Sequence, residues 1–95
     1  MALVCAPDYD LAGRRVIRKE DLGRHPFVSL ARRSTSDDRL QELGVEHPNI
    51  VMRLGNVEGL KQAVRGGLGL AVMFRCSVAS ELAAGVLTEL HVDGV

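Results

Sequence analysis

No sign of charge prevails in this 95-residue chain: twelve Lys and Arg balance twelve Asp and Glu, so the net charge is zero with histidine neutral. Lacking a basic field, the chain has little with which to neutralise a phosphate backbone, which argues against direct DNA binding. No apolar run comes near the roughly twenty residues that span a bilayer. Met1 to Pro7 is not a charged region followed by a long hydrophobic one, so the expected location is cytoplasmic. The two cysteines, Cys5 and Cys76, stand far apart without zinc-ligand pairing or C-x-x-C spacing. Both are expected to be free thiols, packed in a reducing compartment. Internal repeats, low-complexity stretches and linkers are missing too, which leaves one domain at most.

Catalytic constellations are equally absent. His25, His47 and His91 are scattered, the first two directly before prolines, and no Asp, Cys or second His stands at metal-ligand spacing. They read as surface or turn histidines. No G-x-S-x-G elbow surrounds Ser29, Ser34, Ser36, Ser77 or Ser80. Asp37-Asp38 is the one tight carboxylate pair, but neighbours on a helix point apart, and a helix-start role explains it better. Gly66, Gly67 and Gly69 follow a helix and precede a strand, the reverse of the order a phosphate loop requires, and are read as turn glycines. The expectation is therefore no enzyme, no cofactor and no metal.

What the chain does have is 46% apolar residues arranged as short β-like runs alternating with helical patterns, the signature of βαβ construction. Strands are expected at Ala2 to Ala6, closed by Pro7, and at Phe27 to Leu30, Asn49 to Leu54, Leu68 to Phe74 and Val86 to Val92. The fourth is apolar throughout, as befits a strand in mid-sheet with both faces covered. A helical turn around Lys19-Glu20-Asp21-Leu22 is too short to be stable alone and needs Leu22 as its anchor. Ser34-Thr35-Ser36-Asp37-Asp38 opens a helix that runs to Leu43, with Leu40 and Leu43 buried and Gly44 as the stop. Asn56 caps the next, whose apolar face is Val57, Leu60, Ala63 and Val64 and which ends at Gly66-Gly67. Ser77 is the expected cap of the last, with Val78, Ala79, Leu82 and Ala83 as its stripe and Gly85 as its stop. The fold class is thus α/β, with three layers: a roughly five-stranded mixed sheet carrying helices on both faces.

The ordered set Pro7-Asp8-Tyr9-Asp10-Leu11-Ala12-Gly13-Arg14, Asp21-Leu22, His25-Pro26-Phe27-Val28 and Glu58-Gly59-Leu60-Lys61-Gln62-Ala63-Val64-Arg65-Gly66-Gly67-Leu68-Gly69-Leu70-Ala71-Val72 resembles the C-terminal regulatory part of LysR-type transcriptional regulators. The similarity continues through Leu82 to Gly85-Val86-Leu87. Tyr9-Asp10 departs from it, standing where His-Pro is more usual. The resemblance implies a periplasmic-binding-protein type 2-like fold, two α/β subdomains hinged by crossing strands, with an inducer in the cleft between them. This chain matches the second subdomain. The helix-turn-helix, linker helix and first subdomain have no counterpart in it, so a domain excision or a truncated reading frame is expected.

The family's inducer contacts, carried over by position, fall on the loop after the second strand, Ala31, Arg32, Arg33, Ser34 and Thr35, and on the helix start at Asn56 and Val57. Both places offer backbone N–H groups, and the loop adds hydroxyls and guanidinium groups suited to a small organic acid. The plainer alternative is that Arg32 and Arg33 are solvated loop charges and Asn56 only a cap. The function implied is effector sensing that modulates transcription, with DNA bound only through the absent N-terminal domain and no membrane partner. An interaction or dimerisation module, self-associating through an exposed apolar face, and a fragment of a solute-binding protein stay open as alternatives.

Overall fold

A computed structural model describes residues 1–32 and 35–93, with Thr35 and Ser36 described in their backbone alone. Strands and helices alternate after the first strand: β1 (Ala2–Cys5), α1 (Lys19–Leu22), β2 (Pro26–Leu30), α2 (Thr35–Glu42), β3 (Asn49–Leu54), α3 (Val57–Arg65), β4 (Ala71–Met73), α4 (Arg75–Ala84) and β5 (Thr88–Leu90). β1 pairs antiparallel with β4 on one side and β5 on the other. β2 and β3 form a separate parallel ladder.

The two ladders are joined by one parallel bridge between Phe27 and Leu70. There the Leu70 N–H donates to the Pro26 carbonyl and the Val28 N–H to the Leu70 carbonyl, each at 2.9 Å. The spatial order is therefore β3-β2-β4-β1-β5, in which only β1 runs against the rest. The expected mixed sheet is present, but its middle hangs on a single bridge. Gly69 is what lets the chains come so close. A Cβ there would stand 2.8 Å from the Pro26 carbonyl oxygen, so this glycine serves backbone approach rather than a turn.

Side-chain alternation sorts the core into two faces. In β1, Leu3 and Cys5 join Phe27, Leu70 and Val72 with Leu22 of α1, Leu40 of α2 and Leu43 just past the end of α2, one residue short of the run to Leu43 expected for that helix. Ala2 and Val4 point the other way, with Val28, Ala71 and Met73, toward Leu60, Ala63 and Val64 of α3 and Val78 of α4. A period of two in the strands thus produces the three layers directly. Lys61 of α3, buried along its stem, reaches Glu81 of α4 at 3.1 Å and Glu58 at 3.3 Å, tying the two helices of that layer together.

Helix ends follow local chemistry in part. Gly44, Gly67 and Gly85 all have positive φ, as helix stops should. Gly66 is right-handed, so Gly67 alone makes that turn. Ser77 does not cap α4: the cap lies three residues earlier, at Phe74, and the Ser77 N–H is already bonded to the Phe74 carbonyl inside the helix. Ala79 and Ala83 are exposed, which leaves Val78 and the partly buried Leu82 as the packing stripe. Val57 is exposed as well, because α3 buries Leu60, Ala63 and Val64 and turns its first residue outward. The end strands are shorter than expected: β4 and β5 keep only the residues that find a partner in β1, and Leu68 and Phe74 lie exposed beyond them. Cys5 is fully buried, and burial, with a smaller push from Asp8, raises its thiol to about 11. Cys76 is a free thiol too, but exposed rather than packed.

Candidate ligand site

Because β2, β3 and β4 run parallel and each leads directly into α2, α3 and α4, the three helices start at one edge of the sheet. Helix starts gathered at the carboxyl ends of parallel strands direct unpaired backbone N–H groups and the positive ends of their dipoles toward one region, which suits an anion. Of the residues expected to bind, four lie along this edge with side chains described. Ala31 and Arg32 are exposed at the exit of β2, and Asn56 and Val57 are exposed at the entry to α3. Arg33 and Ser34 lie outside the described residues, as does the side chain of Thr35. Asn56 sits in extended conformation and its Oδ1 accepts the Gly59 N–H at 2.7 Å, so its capping role is in place. Phe74, at the end of β4, is the exposed aromatic ring of the same edge.

Three polar residues that sequence reasoning missed organise this edge. Asp37, the third residue of α2, is buried; its Oδ1 accepts the Ser29 hydroxyl at 3.2 Å, and its Oδ2 lies 3.6 Å from Nη1 of Arg53. The same Nη1 donates to the Leu30 carbonyl at 2.8 Å. Beside it the Ala31 N–H donates to the Leu54 carbonyl at 2.7 Å. A buried carboxylate is costly unless it is paired and hydrogen-bonded, and these partners supply that compensation for Asp37. The available signal was a serine inside the apolar run Phe27-Val28-Ser29-Leu30 and an arginine inside Asn49 to Leu54. A groove of about 320 Å³ runs beside this network, from His47 and Pro48 to Asp37 and Arg53.

At the start of α4, Arg75 pairs with Glu89 of β5, and the guanidinium holds the Glu89 carboxyl below its usual range. His25, half-buried, takes a hydrogen bond at 3.0 Å between its Nδ1 and the Tyr9 hydroxyl, at the opposite edge of β2. Among the described residues no three His, Cys, Asp or Glu side chains are grouped to hold a metal ion, and no helix is long and apolar enough to cross a membrane.

The LysR substrate binding domain matches the chain over residues 1–95. A probable RuBisCO transcriptional regulator of Cyanidioschyzon merolae is 35% identical, over 100% of this chain and 33% of its own length. The HTH-type transcriptional regulator CbbR of Xanthobacter flavus is 39% identical over 98% of this chain and 30% of its own. The chain thus spans about a third of these curated relatives. Among solved structures, the CcmR regulatory domain of Synechocystis PCC6803 in complex with 2-PG matches 97% of this chain and 46% of its own, with TM-score 0.81 and 29% identity. Domain 2 from TmArgBP matches in fold alone, at 18% identity and TM-score 0.62, with 95% of that chain covered.

Proposed function

The chain belongs to the LysR substrate binding domain family, and from that premise we propose that it is the second subdomain of an effector-binding domain, sensing a small anionic metabolite on behalf of a transcriptional regulator. The observation that carries the reading is the likeness over nearly the whole chain to a regulatory domain in complex with 2-PG, at 29% identity. The effector class is accordingly a small organic acid, phosphorylated or not, and 2-phosphoglycolate is the natural first probe. Contacts are assigned to Ala31, Arg32, Arg33, Ser34, Thr35, Asn56 and Val57, on the edge where the three helices begin. In this reading the chain binds and relays without turnover, requires no cofactor, works in the cytoplasm beside the DNA, and meets DNA through a separate reading head.

The test is an amide-shift titration of the chain with 2-phosphoglycolate, with glycolate and inorganic phosphate as comparison ligands. Binding is expected to move the signals of residues 31–35, 56 and 57 before any others. A single lobe offers one wall of a cleft, so a dissociation constant near millimolar, worth about 4 kcal/mol, is the expected scale. Shifts confined to other regions, or none for any of the acids, would refute the site. Self-association has its own supporting observation: β3 pairs with β2 alone among the described strands and leaves Val51 and Met52 exposed. Sedimentation across a concentration series checks it, and a strict monomer at high concentration removes it.

A further inference from the structure

A cavity of about 150 Å³ opens between α2 and the face that β4, β1 and β5 turn toward it. Its floor is aliphatic: Leu3, Leu43, Val72, Leu90 and Val92 line it, each nearly fully buried. The chain's phenylalanines and its tyrosine stand elsewhere. The mouth is charged. Arg39 of α2 and the exposed Arg75 at the start of α4 flank it with Glu89 of β5, a surplus of one positive charge with His91 neutral. We propose that this cavity binds a short aliphatic monocarboxylate of about six carbons, its chain on the Leu and Val floor and its carboxylate at the arginines. The site shares no residue with the contacts assigned to the effector, so the inference stands independently of that reading.

Volume and polarity together select the ligand class. An apolar space of this order accommodates a body the size of a benzene ring, about six carbons. Side chains of Leu and Val impose no stacking geometry, so a flexible alkyl chain fits as well as a ring. Water gains little on such a floor, which offers it no hydrogen-bond partner, and each methylene that replaces it tightens binding about threefold. At the mouth, Glu89 engages Nε and Nη2 of Arg75, and Glu42, itself largely exposed, engages Nη1 of Arg39 at 2.9 Å. A guanidinium carries more N–H donors than either acid occupies, so both arginines can also donate to an incoming carboxylate. One carboxylate balances the surplus charge of the lining. A phosphate ester such as 2-phosphoglycolate brings a second negative charge toward Glu89 and has no apolar body for the floor, which makes it a poor ligand here.

The experiment titrates the chain with acetate, butanoate, hexanoate and octanoate, and with neutral hexan-1-ol, and follows amide shifts. Signals of Leu3, Val72 and Leu90 are expected to move. Affinity is expected to rise about threefold per methylene up to hexanoate and to level off at octanoate, when the cavity is full. Hexan-1-ol, which keeps the body and lacks the charge, binds about tenfold more weakly than hexanoate. Arg39→Gln and Arg75→Gln each weaken hexanoate about fivefold and leave hexan-1-ol unchanged, while Leu43→Phe fills the floor and abolishes binding of both. An excess of 2-phosphoglycolate leaves hexanoate binding as it was. Affinity that climbs without a break to octanoate would mark a surfactant-like association with exposed apolar surface and overturn the proposal. So would affinity independent of chain length, shifts confined to Ala31, Arg32, Asn56 and Val57, or hexan-1-ol binding as tightly as hexanoate. A folded Leu43→Phe variant that binds like wild type also defeats it. Should that variant not fold, the two arginine variants decide alone: hexanoate binding unchanged in both overturns the assignment.

Discussion

Replacing Gly69 by alanine tests the joint on which the sheet depends. A Cβ at this position meets the Pro26 carbonyl oxygen at 2.8 Å and the carbonyl carbons of Pro26 and Phe27 at 3.1 and 3.3 Å, all backbone atoms that no rotamer change can move aside. To admit the methyl group, the chain must open the bridge whose two hydrogen bonds, both 2.9 Å, link the β2-β3 ladder to the β4-β1-β5 sheet. Losing two net hydrogen bonds costs about 1 kcal/mol each, and leaving their buried groups unsatisfied adds to that, for about 2–4 kcal/mol in all. A chain of this size holds on the order of 5–15 kcal/mol, so the change removes a large part of its stability. At about 4–8 °C per kcal/mol, the unfolding midpoint is expected to fall by at least 8 °C or so. Gly69 does not have positive φ, so alanine there meets no backbone strain of its own and would, with space available, stabilise by about 0.4–1 kcal/mol through the unfolded chain. The two accounts therefore differ in sign. Gly55→Ala, where an added Cβ meets nothing within 4 Å, is the matched control. Thermal unfolding followed by circular dichroism reads both, and a Gly69→Ala midpoint equal to or above wild type would refute the close approach.

Two further outcomes follow from the buried and paired ionisable groups. With its thiol raised to about 11 and its side chain fully buried, Cys5 should resist a thiol reagent at pH 8 while exposed Cys76 reacts, so one equivalent is expected native and two after denaturation; rapid native labelling of Cys5 would contradict its burial. Glu81, held below the ordinary carboxyl value of 4.5 by its own backbone amide and then by Lys61, and Glu89, held below it by Arg75, both favour the folded state when ionised. Their contribution is fully present above 4.5 and is lost as pH falls through their lower folded-state values, so Glu81→Gln and Glu89→Gln are expected to flatten the acid limb of the stability curve and to leave its slope near neutrality unchanged. Acid profiles that superimpose on wild type would show that these pairs contribute nothing.

Local chemistry made much of this molecule readable in one dimension. The bounds of β3 and the start of α3 behind its Asn56 cap lie where the sequence puts them, α2 carries Asp37 and Asp38 in its first turn as expected, and the stops at Gly44, Gly67 and Gly85 follow from the left-handed backbone each of those glycines allows. The alternation of strand-like and helical runs pointed to the α/β class, and a set of residue segments in their order carried the family resemblance. Tertiary structure decided whatever depends on residues distant in sequence. The lengths of β4 and β5 are set by how far β1 extends to pair with them, and the start of α4 by where β4 releases the chain, so neither the long apolar runs nor Ser77 could mark those boundaries. Gly69 looked like a turn residue because its constraint comes from Pro26, across the sheet. Ser29, Asp37 and Arg53 became one network only when β3 lay parallel to β2 and α2 folded back over them: a polar residue in an apolar run announces that a partner exists, and only the fold says which one.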